Sequence, residues 1–147
     1  MRLHLPLVFL CTASCVLGAE TQRSSAISLN AAGLRFAQQL TKEGHVVLDR
    51  KGAWTRPTVG CTENEFIRVH GFEEYGKWHL GIDNRHLPRS KAHYKFPFGD
   101  FSALHRCGLL AVKARAHEYG YAEIESAASE LVVLIESGRP RGQKRVD

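Results

Sequence analysis

The spacing of apolar positions changes character several times along the chain. From Asn30 the stretch "NAAGLRFAQQLTKEG" repeats at helical period. Leu34, Ala37 and Leu40 fall on neighbouring turns of one face, Asn30 offers an oxygen to the free amides of the first turn, and Gly44 suits a left-handed stop. "HVVLD" is a brief apolar run, either a short strand or a segment laid on the core, and the breaker-rich loop "RKGAWTRPTVG" follows it. In "TENEF", Thr62 and Glu65 make a capping-box pair, since the hydroxyl and the carboxylate can satisfy two amide donors reciprocally. A helix is expected to begin near Glu63 and to carry Phe66, Ile67 and Val69. Gly71 and Gly76 each weaken it by about 1 kcal/mol relative to alanine, which predicts two short helices or one kinked helix ending near Gly81.

The period then disappears. "IDNRHLPRSKAHYKFPFGD" contains Pro88 and Pro97 and reads as irregular. Asp100 is expected to cap a helix running to about Glu118, with Ala103, Cys107, Leu110 and Ala114 on one face and Arg106, Lys113 and Arg115 pointing outward. Gly120 ends it. In the last helix Ile124, Ala127, Ala128, Leu131 and Ile135 follow core-facing spacing, and Gly138 and Pro140 stop it. A link of two or three residues makes these two helices an antiparallel pair. The pattern predicts a mainly α fold, a small single-domain helical bundle over residues 28–137 with an irregular Pro- and aromatic-rich connection. Residues 20–27 read as a linker and residues 138–147 as a basic flexible tail.

Residues 1–19, "MRLHLPLVFLCTASCVLGA", have Arg2, an apolar run from Leu5 to Leu17, and small residues at Gly18 and Ala19. That is the layout of a signal peptide, which predicts a secreted or periplasmic protein with no stable membrane span after cleavage. Without translation and cleavage of that segment the protein is cytoplasmic. A lipoprotein reading through Cys15 is disfavoured by Thr12. Cleavage removes Cys11 and Cys15. In an oxidising space Cys61 and Cys107 can then pair, a contribution of about 3–4 kcal/mol in the chain-entropy model. In a reducing space Cys107 is expected to be a small core residue. No C-x-x-C spacing exists, so neither a zinc site of that kind nor a cofactor is expected.

Charge narrows the functional classes. The 147 residues carry a formal net charge of +5, enough chain for one domain. Residues 20–76 are balanced, whereas residues 77–117 hold Lys77, Arg85, Arg89, Lys91, Lys95, Arg106, Lys113 and Arg115 against only Asp83 and Asp100. Interleaved with these cations are Trp78, Tyr94, Phe96, Phe98 and Phe101. Cations and rings together suit phosphate contact and base stacking. The plainer alternative has the rings plugging the core while the cations stay hydrated. The leading expectation is a non-enzymatic binding or accessory module with a basic surface. Lys91, Lys95, Arg106, Lys113 and Arg115 would contact either a polyanion (nucleic acid if cytoplasmic, a surface polyanion if secreted) or a protein partner.

Residue chemistry offers two rival classes. A hydrolase or nuclease would use His79, Asp83 and His105, with Asp83 orienting His79 as a general base; the structural alternative pairs Asp83 with Arg85 or makes it a turn cap. His79, His86 and His93 recur every seven residues, but the irregular connection keeps them off a common face, and no metal site is expected from them. His105 and Cys107, two apart on an expected helix, do not face each other and make a poor nucleophile pair. There is no Gly-rich phosphate loop or G-x-S-x-G elbow. The third class is a secreted structural protein with the Cys61–Cys107 disulfide.

"LNAAGLRFAQQL", "YGKWHLGID" and "YKFPFGDFSALHRCGLLAVKARAHEYGYAEIESAASEL" together cover most of residues 28–137. In these blocks, above all "WHLG" and "YKFPFGDF...HRCG", the chain resembles a small uncharacterised bacterial protein family with phage-associated relatives, some near head-morphogenesis genes. The resemblance implies no catalytic residue, because that family has no established activity. The leading extension departs from the family pattern, whose members start near "ISLNAAG", and a phage-related origin implies the cytoplasm. The proline and histidine within "HLPRSKAHYK" depart from it too.

Overall fold

The structure, a computed structural model, describes residues 26–53 and 60–138, with the side chains of residues 60 and 61 outside the description. The expected signal segment 1–19, most of the linker, the tail from Arg139 and the Cys61 side chain therefore lie outside the described residues. Among the described residues there are four α-helices and five short strands. The chain runs β1 (Ile27–Leu29), α1 (Ala31–Glu43), β2 (Val46–Val47), α2 (Gly60–Gly76), β3 (His79–Asp83), a 3-10 turn (Lys91–His93), β4 (Tyr94–Pro97), β5 (Leu104–His105), α3 (Arg106–Glu118) and α4 (Ala122–Ser137). The fold is thus mainly helical but mixed, and the expectation of a purely helical bundle is corrected by an antiparallel sheet of order β1-β3-β4 and a parallel β2-β5 pair.

Asn30 fixes the relation between helix and sheet. Its backbone N–H donates to the Leu80 carbonyl at 2.9 Å, and its Nδ2 donates to the carbonyls of Gly76 and His79, both at 2.9 Å. Its Oδ1 accepts from the Ala32 amide at 3.2 Å, the helix cap that the sequence predicts. One buried side chain therefore caps α1 and ties off the turn between α2 and β3. Gly33 then lies against β3, where a Cβ would overlap the His79 carbonyl. At the other end of α1, Gly44 takes φ 79° and closes the helix as expected.

The central strand escaped the sequence reading because it is covered on both faces. In "HLGID" His79, Leu80, Gly81 and Asp83 are all buried, so no alternation of apolar and polar residues marks it. β1 pairs with it through Ile27↔Asp83 and Leu29↔Gly81, so the domain begins inside the expected linker. β4 pairs through His79↔Pro97, Gly81↔Lys95 and Ile82↔Tyr94. It is an edge strand, where a proline removes no needed donor.

The helix expected after Thr62 is kinked, as the glycines predict, at Gly71 with φ 83° and ψ 172°, but it begins at Gly60, so that Thr62 lies inside it, and it stops at Gly76. The expected start of a helix at Asp100 is also corrected. Asp100 Oδ1 accepts from the amides of Ser102 (2.9 Å) and Ala103 (2.8 Å), a side-chain turn that competes with helix formation. The helix starts only at Arg106, and its buried face becomes Cys107, Gly108, Leu109, Val112 and Ala116, with Ala114 exposed. In α4 the five expected core residues are all buried. α3 and α4 form a helical hairpin through Gly120, at φ 73°, and close over β3 and β4. Leu80, Phe98, Leu104, Leu109, Ile124 and Leu131 fill the shared core. Among the described residues no helix is long and apolar enough to cross a membrane.

Asn30→Asp turns two amide donors into acceptors facing the Gly76 and His79 carbonyls. It is expected to cost about 3 kcal/mol in urea denaturation, because buried carbonyls lose their partners and a carboxylate is buried beside them. Gly33→Ala, which forces α1 away from β3, is expected to lower stability by about 2 kcal/mol in the same assay.

Candidate functional site

Three of the five expected contact residues meet in one place. Lys91, Lys95 and Arg115 line an open groove of about 860 Å³ between the 3-10 turn, β4 and α3. Tyr94, Phe96, Tyr119 and Tyr121 line it as well. The middle segment's aromatics are thus divided: Trp78 and Phe98 are core, as the plainer reading holds, while Tyr94 and Phe96 are half-buried along the groove.

Local structure explains the rings' positions. Phe96 takes φ 61°, a left-handed conformation rare for a bulky residue, and its ring lies over Gly81, where a Cβ would come within 2.7 Å of it. The ring also meets Tyr121 edge-on at 5.8 Å between centroids. Tyr94 donates its hydroxyl to the Pro88 carbonyl at 3.0 Å. Burial, with the Glu73 charge, pushes the Tyr94 hydroxyl above the usual phenol range, so it stays a neutral donor.

The other two expected contacts lie outside the groove. Arg106 Nε and Nη2 both donate to Glu136 Oε1, at 3.0 and 2.6 Å, and Lys113 is exposed on α3. Several cations of the middle segment meet carboxylates from elsewhere in the chain. Lys91 pairs with Glu63 at 3.1 Å, Lys77 with Glu74 at 2.6 Å, and Arg115 sits 3.7 Å from Glu118. Counting charge by segment missed this neutralisation, since the acids come from α2, α3 and α4.

The residues of the hydrolase reading are not brought together. His79 and Asp83 lie four residues apart on β3, roughly 13 Å at strand rise, because the segment is a strand and not the helix end expected. His79 Nδ1 is 3.0 Å from the Tyr75 carbonyl. Asp83 takes the structural alternative, a forked pair with Arg85 at 2.9 and 2.8 Å, which holds its carboxyl far below the usual range. His93 Nδ1 reaches the carbonyls of Asp83 (3.0 Å) and His86 (2.9 Å), so it serves as a strut for the 83–93 connection.

His105 belongs to a different group, one that the sequence reading missed. The parallel pairing Val46↔Leu104 and Val47↔His105 carries Asp49 alongside the start of α3. Asp49 Oδ1 accepts the Cys107 amide at 2.8 Å, and Oδ2 accepts from both the Cys107 thiol and His105 Nδ1, each at 2.7 Å. On the far side of the ring, His105 Nε2 is 3.1 Å from Asp100 Oδ2. His105 and Cys107 do converge, against the expectation, because the helix begins at Arg106 and leaves His105 extended at φ −102° and ψ 124°. No signal in the sequence pointed to Asp49 beyond a carboxylate after a short apolar run.

The electrostatics of this group are those of a closed network. Burial pushes the Cys107 thiol up, and the Asp49 carboxylate beside it pushes it further, to about 12. Cys107 is a free thiol, protonated at neutral pH and a poor nucleophile. Burial opposes the charge on His105, yet its bonds to Asp49 and Asp100 outweigh this and raise its pKa. Burial would likewise raise Asp49, but the thiol, imidazole and amide donors hold it low. Asp100 also lines a cleft of about 600 Å³ with Phe66, His70 and Phe101.

Asp83 supplies a pH dependence with a definite sign. Its folded pKa is depressed from 3.8, so the stability it contributes is complete above that value and is lost as pH falls below it. Urea denaturation at pH 5 and pH 3 is expected to show a smaller acid loss for Asp83→Asn than for the unaltered chain. Compared with known proteins, the chain matches no family model, and neither a curated protein nor a solved structure proves similar to it.

Proposed function

We propose that the protein is a non-enzymatic binding module whose groove takes a polyanion carrying flat rings, of the single-stranded nucleic-acid class. The observation that carries this reading is the convergence of Lys91, Lys95 and Arg115 with Tyr94, Phe96, Tyr119 and Tyr121 along one groove, with no carboxylate among its described lining residues. Cations spaced along a groove suit successive phosphates, and exposed ring faces suit unpaired bases. Tyr119, 58% exposed, is the ring most available for stacking, and the neighbouring Tyr121, 6.3 Å away between centroids, extends the platform. Arg106 and Lys91 are weaker contacts in this reading because Glu136 and Glu63 already hold their charges.

Binding of a labelled single-stranded oligonucleotide, followed by fluorescence anisotropy at rising salt, tests the proposal. Lys95 and Arg115 neutralising two phosphates give a log–log slope of about −1.4, at about −0.7 per phosphate, and the Lys91–Glu63 pair adds little to it. Lys95→Glu is expected to abolish binding at moderate salt with the fold intact by circular dichroism. Tyr119→Ala is expected to weaken binding by about 1–3 kcal/mol, the worth of one stacked base. A flat salt response, or equal binding of a sulfated polysaccharide with no loss in Tyr119→Ala, would overturn the reading.

A further inference from the structure

We infer that Asp49, His105 and Cys107 form a binding site for a zinc-class divalent metal ion, independent of the groove. The carboxylate oxygen, the imidazole nitrogen and the thiol sulfur lie within 4.8 Å of one another. They arrive from two chain segments more than fifty residues apart, brought together by the β2-β5 pairing. Three ligands of these types match the three-protein-ligand zinc sites that leave one position for water or a further ligand. A thiolate in the set selects against calcium and magnesium, which take oxygen ligands.

A second observation points the same way. A metal-binding histidine characteristically directs its other ring nitrogen at a carboxylate, which fixes the ring and raises its basicity. His105 does this: Nδ1 faces the cluster, while Nε2 faces Asp100, itself anchored by the amides of Ser102 and Ala103. Asp49 is anchored in turn through its other oxygen by the Cys107 amide. Both carboxylates are thus held by backbone donors, which sets their positions with or without an ion.

The exchange is chemically simple. In the metal-free form two protons bridge the three ligands, one from the thiol and one from Nδ1, both shared with Asp49 Oδ2. A divalent ion takes the place of both and releases them to solvent, with no change in oxidation state. Bonds of about 2.0–2.3 Å at tetrahedral angles set ligand atoms about 3.4 Å apart, so contacts of this kind need open by less than about 1 Å. The side chains of His105 and Asp49 are 19% and 17% exposed, which leaves a route for the ion.

Titration of the reduced full chain with Co2+, read in the near-ultraviolet, tests the site, because cobalt–thiolate bonding gives a charge-transfer band that oxygen and nitrogen ligands do not. A saturable one-equivalent band, displaced by Zn2+ and untouched by Ca2+, is expected. The triple variant Cys11→Ser, Cys15→Ser, Cys61→Ser should keep the band, since Cys107 is then the sole thiol. Cys107→Ser should lose it. Asp100→Asn, which touches no ligand atom of the ion, should weaken metal affinity about 10–100-fold while keeping the band at saturation. No band in the unaltered chain, or loss of it in the triple variant, would overturn the proposal. The triple variant decides the matter even where Cys107→Ser fails to fold.

Discussion

The architecture depends on one buried residue whose side-chain amide makes three hydrogen bonds and whose backbone N–H makes a fourth. Asn30 follows directly on the first strand, and the first helix, the end of α2 and β3 are each hydrogen-bonded to it. A side chain with one acceptor and two donors is needed, because the surroundings offer one amide and two carbonyls. Aspartate has no donors, serine lacks the reach and the second donor, and an apolar residue strands all three groups. Once Asn30 is seated, α1 lies on β3 closely enough that only glycine fits at position 33, and β3 is fixed as the middle of the sheet.

The second fastening is made by Asp49, and it brings the chemistry. A two-residue parallel pairing is too short to be stable on its own, so β2 and β5 owe their contact to the network that follows them. The carboxylate stands where a residue just before α3 would ordinarily cap the helix, but it comes from far upstream in the chain. His105 occupies the cap position without a capping bond of its own, which frees its ring to bridge two carboxylates. The same arrangement that secures the helix thereby collects an oxygen, a nitrogen and a sulfur.

The helices were legible in the sequence to the extent that one face of each meets water. In α4 the spacing of Ile124, Ala127, Ala128, Leu131 and Ile135 could be read directly, even though Val133 and Leu134 on the outer face are apolar too. α1 was equally plain, down to its two caps. β2 was one of the two readings of "HVVLD", but other strands were hidden for opposite reasons: β3 is buried on both faces, and β1 and β5 are too short to show a period. Asp100 misled because an aspartate that holds a turn and one that caps a helix bond the same amides, two and three residues on. The groove was half legible. Lys91, Lys95, Arg115 and their aromatic neighbours are near in sequence, but the acids that neutralise Arg106 and Lys91 are distant and become visible only in three dimensions. Asp49 was not legible at all, because a short parallel register leaves no trace in composition.

Phe96 and Gly81 carry a consequence for how this chain varies. The ring at position 96 needs a hydrogen in place of a side chain at position 81, while the backbone at 96 adopts a conformation that favours glycine over any aromatic. Each position therefore restricts the other: a side chain gained at 81 has room only where the ring at 96 has gone. In diverging copies of this chain the two sites will change as a pair, and a copy that has lost the aromatic will also have lost one wall of the groove.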